Sequence, residues 1–211
     1  AAYLKPSQMT LFVVAAVTTD NNNFNGVLES RRTSPNVQGY NIYGNMSGSS
    51  NRWEFWYGRG SNFGAVNTGT GSITVGQPNI ITAQITGGDG AGATATERIS
   101  LNGTVTHTRT DAFHKATADE FNIGAVPSSF FLNGQIAEII QYDRTLTSVE
   151  IEKVEAYLSD KYDITTSHAL TNTVSSNPYQ DANHDPLLEN INYTDSLIQF
   201  IYRPAHGLDY P

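Results

Sequence analysis

Apolar and polar positions alternate along the chain in short bursts. Residues 9–18 (MTLFVVAAVT) are the exception, an almost unbroken apolar run, rich in Val and too short for a free-standing helix, which predicts a central strand of a sandwich. The next segment, 20–26 (DNNNFNG), holds four Asn and an Asp and reads as a loop. Short strands follow at 26–31, 38–45 and 52–58, separated by breaks rich in Ser, Pro, Asn and Gly. Another is predicted at 80–86 (IITAQIT), then a loop of small residues over 87–96. Residues 98–107 (RISLNGTVTH) set Asn102-Gly103 between two alternating runs, the pattern of a two-residue type I′ hairpin with positive φ at both turn positions. Strands at 121–125 and 135–142 complete the series. Short strands at this spacing, with turns between them, point to an antiparallel sandwich or barrel and away from a parallel α/β sheet.

One segment departs from this pattern. In Leu146-Thr147-Ser148-Val149-Glu150-Ile151, Thr147 and Glu150 form a capping box, and Leu146 is placed to pack on Ile151 as a hydrophobic staple. Ile151, Val154, Leu158 and Tyr162 then recur at helical spacing, with Glu150, Glu152, Lys153, Glu155 and Asp160 on the other faces. A single C-terminal α-helix over about 147–162 is expected, its apolar stripe docked on the sandwich. Beyond it, residues 165–211 carry five acidic side chains against one base, Arg203, and include the apolar pair Leu187-Leu188 and the run 197–202 (LIQFIY). This division predicts a sandwich domain over 1–164 and an extended acidic tail over 165–211. A tail without its own core is ordered only by docking, so 197–202 is expected to add as a strand to a sheet edge, of its own domain or, more readily, of a neighbouring chain.

Composition narrows the chemistry. The 211 residues include no Cys, which removes disulfides, thiolate metal sites and cysteine nucleophiles from consideration. Charged residues are only 15%, and Asn (19) and Thr (23) take their place, a composition suited to strands and turns. The net charge of −8 argues against nucleic acid or an anionic membrane as partner. No apolar run approaches the roughly 18 residues of a membrane span. The chain opens Ala-Ala-Tyr, with neither Met nor a signal peptide, and is expected to be a processed product or a piece of something larger.

The stretch Asn133-Gly134-Gln135-Ile136-Ala137-Glu138-Ile139-Ile140-Gln141-Tyr142-Asp143-Arg144-Thr145-Leu146-Thr147, followed by Glu150 and by Val154-Glu155-Ala156-Tyr157-Leu158-Ser159-Asp160-Lys161-Tyr162, resembles the closing signature of laminin-G-like domains. These belong to the concanavalin A-like lectin/glucanase superfamily, and the similarity is to its bacterial and phage branch. Residues 11–17, 80–86, Leu101-Asn102-Gly103 and 121–125 extend the resemblance over about 3–164. It implies an all-β, two-sheet antiparallel jelly-roll sandwich. It also implies a module of a larger extracellular, cell-surface or virion protein that binds glycans or other proteins without catalysis, and often holds one Ca²⁺ at the rim of the sandwich.

Candidate sites follow from these expectations. Retaining glycosidases of this superfamily need two carboxylates about 5 Å apart. Glu54 and Glu138 each stand alone on their strands, so no enzymatic activity is expected. Glu138, in an apolar strand, needs a partner such as Arg144. In 52–58, alternation puts Trp53, Phe55 and Tyr57 on one face and Arg52, Glu54 and Trp56 on the other. The first face is expected in the core. Trp56, beside Glu54 and Arg52 and near Tyr43, becomes a platform on which a sugar could stack, unless it packs beneath the tail or a loop. For Ca²⁺, hard oxygen ligands are offered by Asp20, Asn21 and Asn23 on one loop and Asp89 on another; the alternative is an Asn-rich turn. The leading expectation is a recognition module binding glycan or protein at the loop rim or the concave sheet face. Its rival is a structural component of a phage capsid or fibre, with residues 165–211 packed on neighbouring subunits.

Overall fold

A computed structural model describes residues 4–117, 121–126 and 129–168, together with the backbone of 198–201. The strands are β1 (Met9–Val17), β2 (Phe24–Arg32), β3 (Gln38–Asn45), β4 (Arg52–Gly58), β5 (Phe63–Asn67), β6 (Asn79–Thr86), β7 (Ala91–Leu101), β8 (Thr104–His114), β9 (Asn122–Ile123), β10 (Ala125–Val126), β11 (Phe130–Phe131), β12 (Gly134–Tyr142) and β13 (Ile198–Ile201). One helix, α1 (Ser148–Tyr162), lies between β12 and β13. A six-stranded sheet runs in the order β13-β12-β1-β6-β7-β8 and a five-stranded sheet in the order β5-β4-β3-β2-β9, with the small hairpin β10–β11 beside them. All pairings are antiparallel.

The unbroken apolar run of β1 follows from its place between two apolar layers. Leu11, Val13, Ala15 and Val17 point into the core between the sheets, where they meet Leu28, Ile42, Trp53, Phe55 and Tyr57 of the five-stranded sheet. Phe12 and Val14 point the other way and meet Val154, Tyr157 and Leu158 of α1. The helix therefore covers the outer face of the six-stranded sheet. Its start is the expected capping box, with Thr147 and Glu150 each bonding the other's backbone N–H, and Leu146 and Ile151 sit in the same apolar cluster. Glu155 of α1, expected away from the docked stripe, is instead fully buried because it accepts from Thr82 Oγ1 of β6 at 2.6 Å, with His168 Nδ1 also 2.6 Å away.

Asn102 and Gly103 take φ values of 47° and 84° at the β7–β8 turn, as the I′ hairpin requires. The expected loop over 87–96 is shorter than its small residues suggested. Strand β7 begins at Ala91, because Asp89 caps the preceding turn through the Ala91 and Ala93 N–H groups and β8 continues the pairing to His114. Strand β5 was not expected. Its Gly64 lies against the Tyr57 ring, where a Cβ would come within 2.4 Å, so the residue that weakens the strand pattern is the one the packing demands. Glu138 is engaged by Lys161 Nζ (3.0 Å) and Tyr162 Oη (2.9 Å) of α1; Arg144 instead holds Glu150. At the tail, Ile198–Ile201 pairs antiparallel with β12 of the same chain, Glu138 opposite Ile201 and Gln141 opposite Ile198. The rest of the expected tail segment, 169–197 and 202–211, lies outside the described residues.

Candidate functional site

With α1 on one outer face, the outer face of the five-stranded sheet is the remaining large surface, and its composition is unusual. Strand register builds it in rows. Asn122, Glu29, Asn41, Trp56 and Ala65 lie side by side across β9, β2, β3, β4 and β5. The next row holds Gly26, Tyr43, Glu54 and Asn67, and on its far side Phe24, Asn45 and Arg52 follow. Flanking Glu29 and Trp56 on the other side, Arg31 pairs with Gly39 and Phe63 with Gly58. The two glycines leave no side chain in between, so the Arg31 guanidinium reaches across to lie 5.2 Å from the centre of the Phe63 ring.

Two ion pairs form the foundation. Glu54 is 3% exposed and accepts from three donors: Arg52 Nε at 2.7 Å, Asn45 Nδ2 at 2.9 Å and the indole Nε1 of Trp56 at 2.6 Å. Glu29, 4% exposed, accepts from Arg31 Nε at 2.7 Å and Asn122 Nδ2 at 2.8 Å. Burial pushes the neighbouring Tyr43 phenol up to about 12, despite the lowering effect of Arg31, so it stays neutral. Between the pairs, Asn41 is fully buried and neither its Nδ2 nor its Oδ1 has a hydrogen-bond partner.

Over this foundation lies a connected set of rings. Tyr43 and Trp56 have centroids 5.7 Å apart, Phe24 is 5.1 Å from Tyr43 and 6.2 Å from Trp56, Phe130 is 5.6 Å from Phe24, and Phe63 is 6.0 Å from Trp56. Most meet near edge-to-face, the geometry aromatic quadrupoles favour. Phe24, Trp56, Phe63 and Phe130 are half-buried, and Phe131 next to them is exposed. Of the four residues singled out from the sequence, Trp56 and Arg52 are both half-buried at the surface. Tyr43 and Glu54 are brought close to Trp56 as expected, but lie beneath the surface and position it. Sequence reasoning missed Glu29, Arg31, Asn41, Phe24, Phe63 and Phe130. Alternation in 26–31 and 38–45 had the information to put Glu29, Arg31 and Asn41 on this face; Phe63 and Phe130 had no comparable signal.

The candidate cation ligands are not gathered. β1 and β6 pair with Ala15 opposite Asn79 and Met9 opposite Ile85, so the β1–β2 loop with Asp20 and the β6–β7 loop with Asp89 are at opposite ends of the sandwich. Nine residues at about 3.3 Å each separate them, which corrects the expectation that Asp20 and Asp89 share an ion. Asp20, Asn21 and Asn23 each accept a backbone N–H of their own loop, from Asn22, Asn23 and Phe24. Among the described residues, no three His, Asp or Glu side chains converge as a metal site would need.

The architecture has known counterparts. The CBM40 domain of a Ruminococcus gnavus IT-sialidase bound to α2,3-sialyllactose superposes with a TM-score of 0.54 at 12% identity, over 69% of this chain and 81% of that one. The chain is a jelly-roll β-sandwich. The same CBM40 domain in a second structure gives 0.52 at 12% identity, over 70% and 81% of the two chains. A leech intramolecular trans-sialidase complexed with 2,7-anhydro-Neu5Ac gives 0.53 at 17% identity, over 69% of this chain and 23% of that one. At such identities the likeness is one of fold. No family model matches the sequence, and no curated protein does. No helix among the described residues is long and apolar enough to cross a membrane.

Proposed function

We propose that this protein is a non-catalytic glycan-recognition module of a larger extracellular or surface protein, binding its ligand on the outer face of the five-stranded sheet. The observation that carries this reading is the half-exposed ring set around Trp56, held from below by ion pairs whose carboxylates are already engaged. Such a surface is rigid, apolar and flanked by amides, which suits the C–H face and hydroxyls of a sugar. The sandwich neighbours whose names record sialyllactose are consistent with a recognition role for this fold, as is the laminin-G-like resemblance. Catalysis is disfavoured because Glu54 belongs to this face while Glu138 lies under α1 on the other sheet, so the two cannot act as a pair. The rival reading, a virion component, needs the tail to engage a neighbour; the described part of the tail pairs with β12 of its own chain.

Trp56→Ala should weaken glycan binding at least tenfold, about 1.4 kcal/mol or more, by removing the central ring of the platform. Trp56→Phe, which keeps a ring, should lose less. A glycan-array hit titrated by calorimetry reads this, with circular dichroism confirming the fold of each variant. Unchanged affinity in folded Trp56→Ala would move the site elsewhere. The cation proposal narrows to Asp20 with Asn21 and Asn23, where Ca²⁺ would have to displace N–H donors from oxygens already in use. An ion at a hundred times its Kd stabilises by about 2.7 kcal/mol, so coincident melting curves in Ca²⁺ and in EDTA would remove it.

A further inference from the structure

Resting on the glycan reading above, we infer that this face selects neutral saccharides and discriminates against sialylated or otherwise acidic ones. Charge is disposed on this face so that none of it is left over. The described residues of the face carry two cations and two anions, each cation already holding one carboxylate: Arg31 with Glu29 and Arg52 with Glu54, both at 2.7 Å. The side chains of Arg31 and Glu29 are 11% and 5% exposed, and those of Arg52 and Glu54 are 30% and 4% exposed. Both carboxylates also receive neutral donors, from Asn122, Asn45 and Trp56. The charges sum to zero and lie mostly below the rings.

A ligand carboxylate arriving here has two courses, and both are unfavourable. It can remain beside the neutralised pairs, losing hydration against a surface of no net charge on a chain of net charge −8. Alternatively it can approach the Nη groups that Arg31 and Arg52 leave over, where the carboxylate already held at each Nε, Glu29 or Glu54, repels it and cancels most of the cation's attraction. A neutral pyranose meets neither obstacle. Its C–H face packs on Trp56 and Phe63, and its hydroxyls find the side-chain amides of Asn67 and Asn122 at the margins of the ring set.

The test uses the full chain against matched glycans, lactose-type neutral oligosaccharides and the same oligosaccharides capped with sialic acid, at low and high salt. We expect the neutral members to bind at least tenfold more tightly and with little salt dependence, because no charge pair forms at the interface. Equal or tighter binding of the sialylated members, weakening as salt rises, overturns the inference and leaves the glycan reading standing. Binding of neither set, with the protein folded, overturns the glycan reading and this inference with it.

Discussion

Replacing Glu54 by Ala is expected to cost about 2–4 kcal/mol of folding stability and to abolish ligand binding at the Trp56 face. Removing one member of a buried ion pair typically costs roughly 3–5 kcal/mol, because the partner is left charged and unpaired. Arg52 retains some access to water, which softens that cost. Two further groups are stranded, however: Asn45 Nδ2 and the Trp56 indole N–H both lose the acceptor that fixes them. Glu54→Gln keeps an acceptor for the indole and should retain more of both stability and binding than Ala. Urea unfolding compared across the two variants measures the first effect, and glycan titration the second. A loss below about 1 kcal/mol in Glu54→Ala would mean that the carboxylate is better hydrated than its three donors indicate.

Replacing Glu97 by Gln should do the reverse and stabilise the protein. Glu97 on β7 is fully buried between the sheets, and neither of its carboxylate oxygens has a hydrogen-bond partner. Burial, reinforced by the negative charge of Asp111, pushes its carboxyl up to about 8. Below about pH 4 the group is protonated in folded and unfolded chains alike and contributes no pH dependence. From there to about 8 the unfolded chain gives up its proton while the folded chain keeps it, so stability falls as pH rises. By neutral pH the deficit from this one group is on the order of 2–3 kcal/mol. Glu97→Gln cannot ionise. The variant should therefore match the wild type near pH 4.5 and melt several degrees higher at pH 7 to 8, since 1 kcal/mol moves the midpoint of a domain this size by roughly 2–4 °C. Parallel pH–melting curves for the two proteins would refute an ionisation penalty at this position.

Local pattern was a sufficient guide wherever the cause of a structure is local. The I′ turn at Asn102-Gly103, the capping box of Thr147 and Glu150, and the division of 52–58 into a core face and an outward face all depend on a few consecutive side chains, and all stand in the structure as the sequence predicts. The apolar run of β1 likewise announced a strand in the middle of the molecule. What the sequence could not settle is depth, because depth depends on which distant strands lie alongside. Tyr43 and Glu54 share the face of Trp56, as alternation requires. They are buried there because β2 brings Phe24 and Arg31, β5 brings Phe63, and β11 brings Phe130. The same holds for Asp20 and Asp89. Either loop reads as an oxygen-rich rim, and only the antiparallel register of β1 with β6 puts them at opposite ends of the sandwich. Alternation along one strand specifies a direction, in or out; whether an outward side chain meets water or another ring is decided by pairings between segments far apart in the chain, and those energies are invisible to any window read along it.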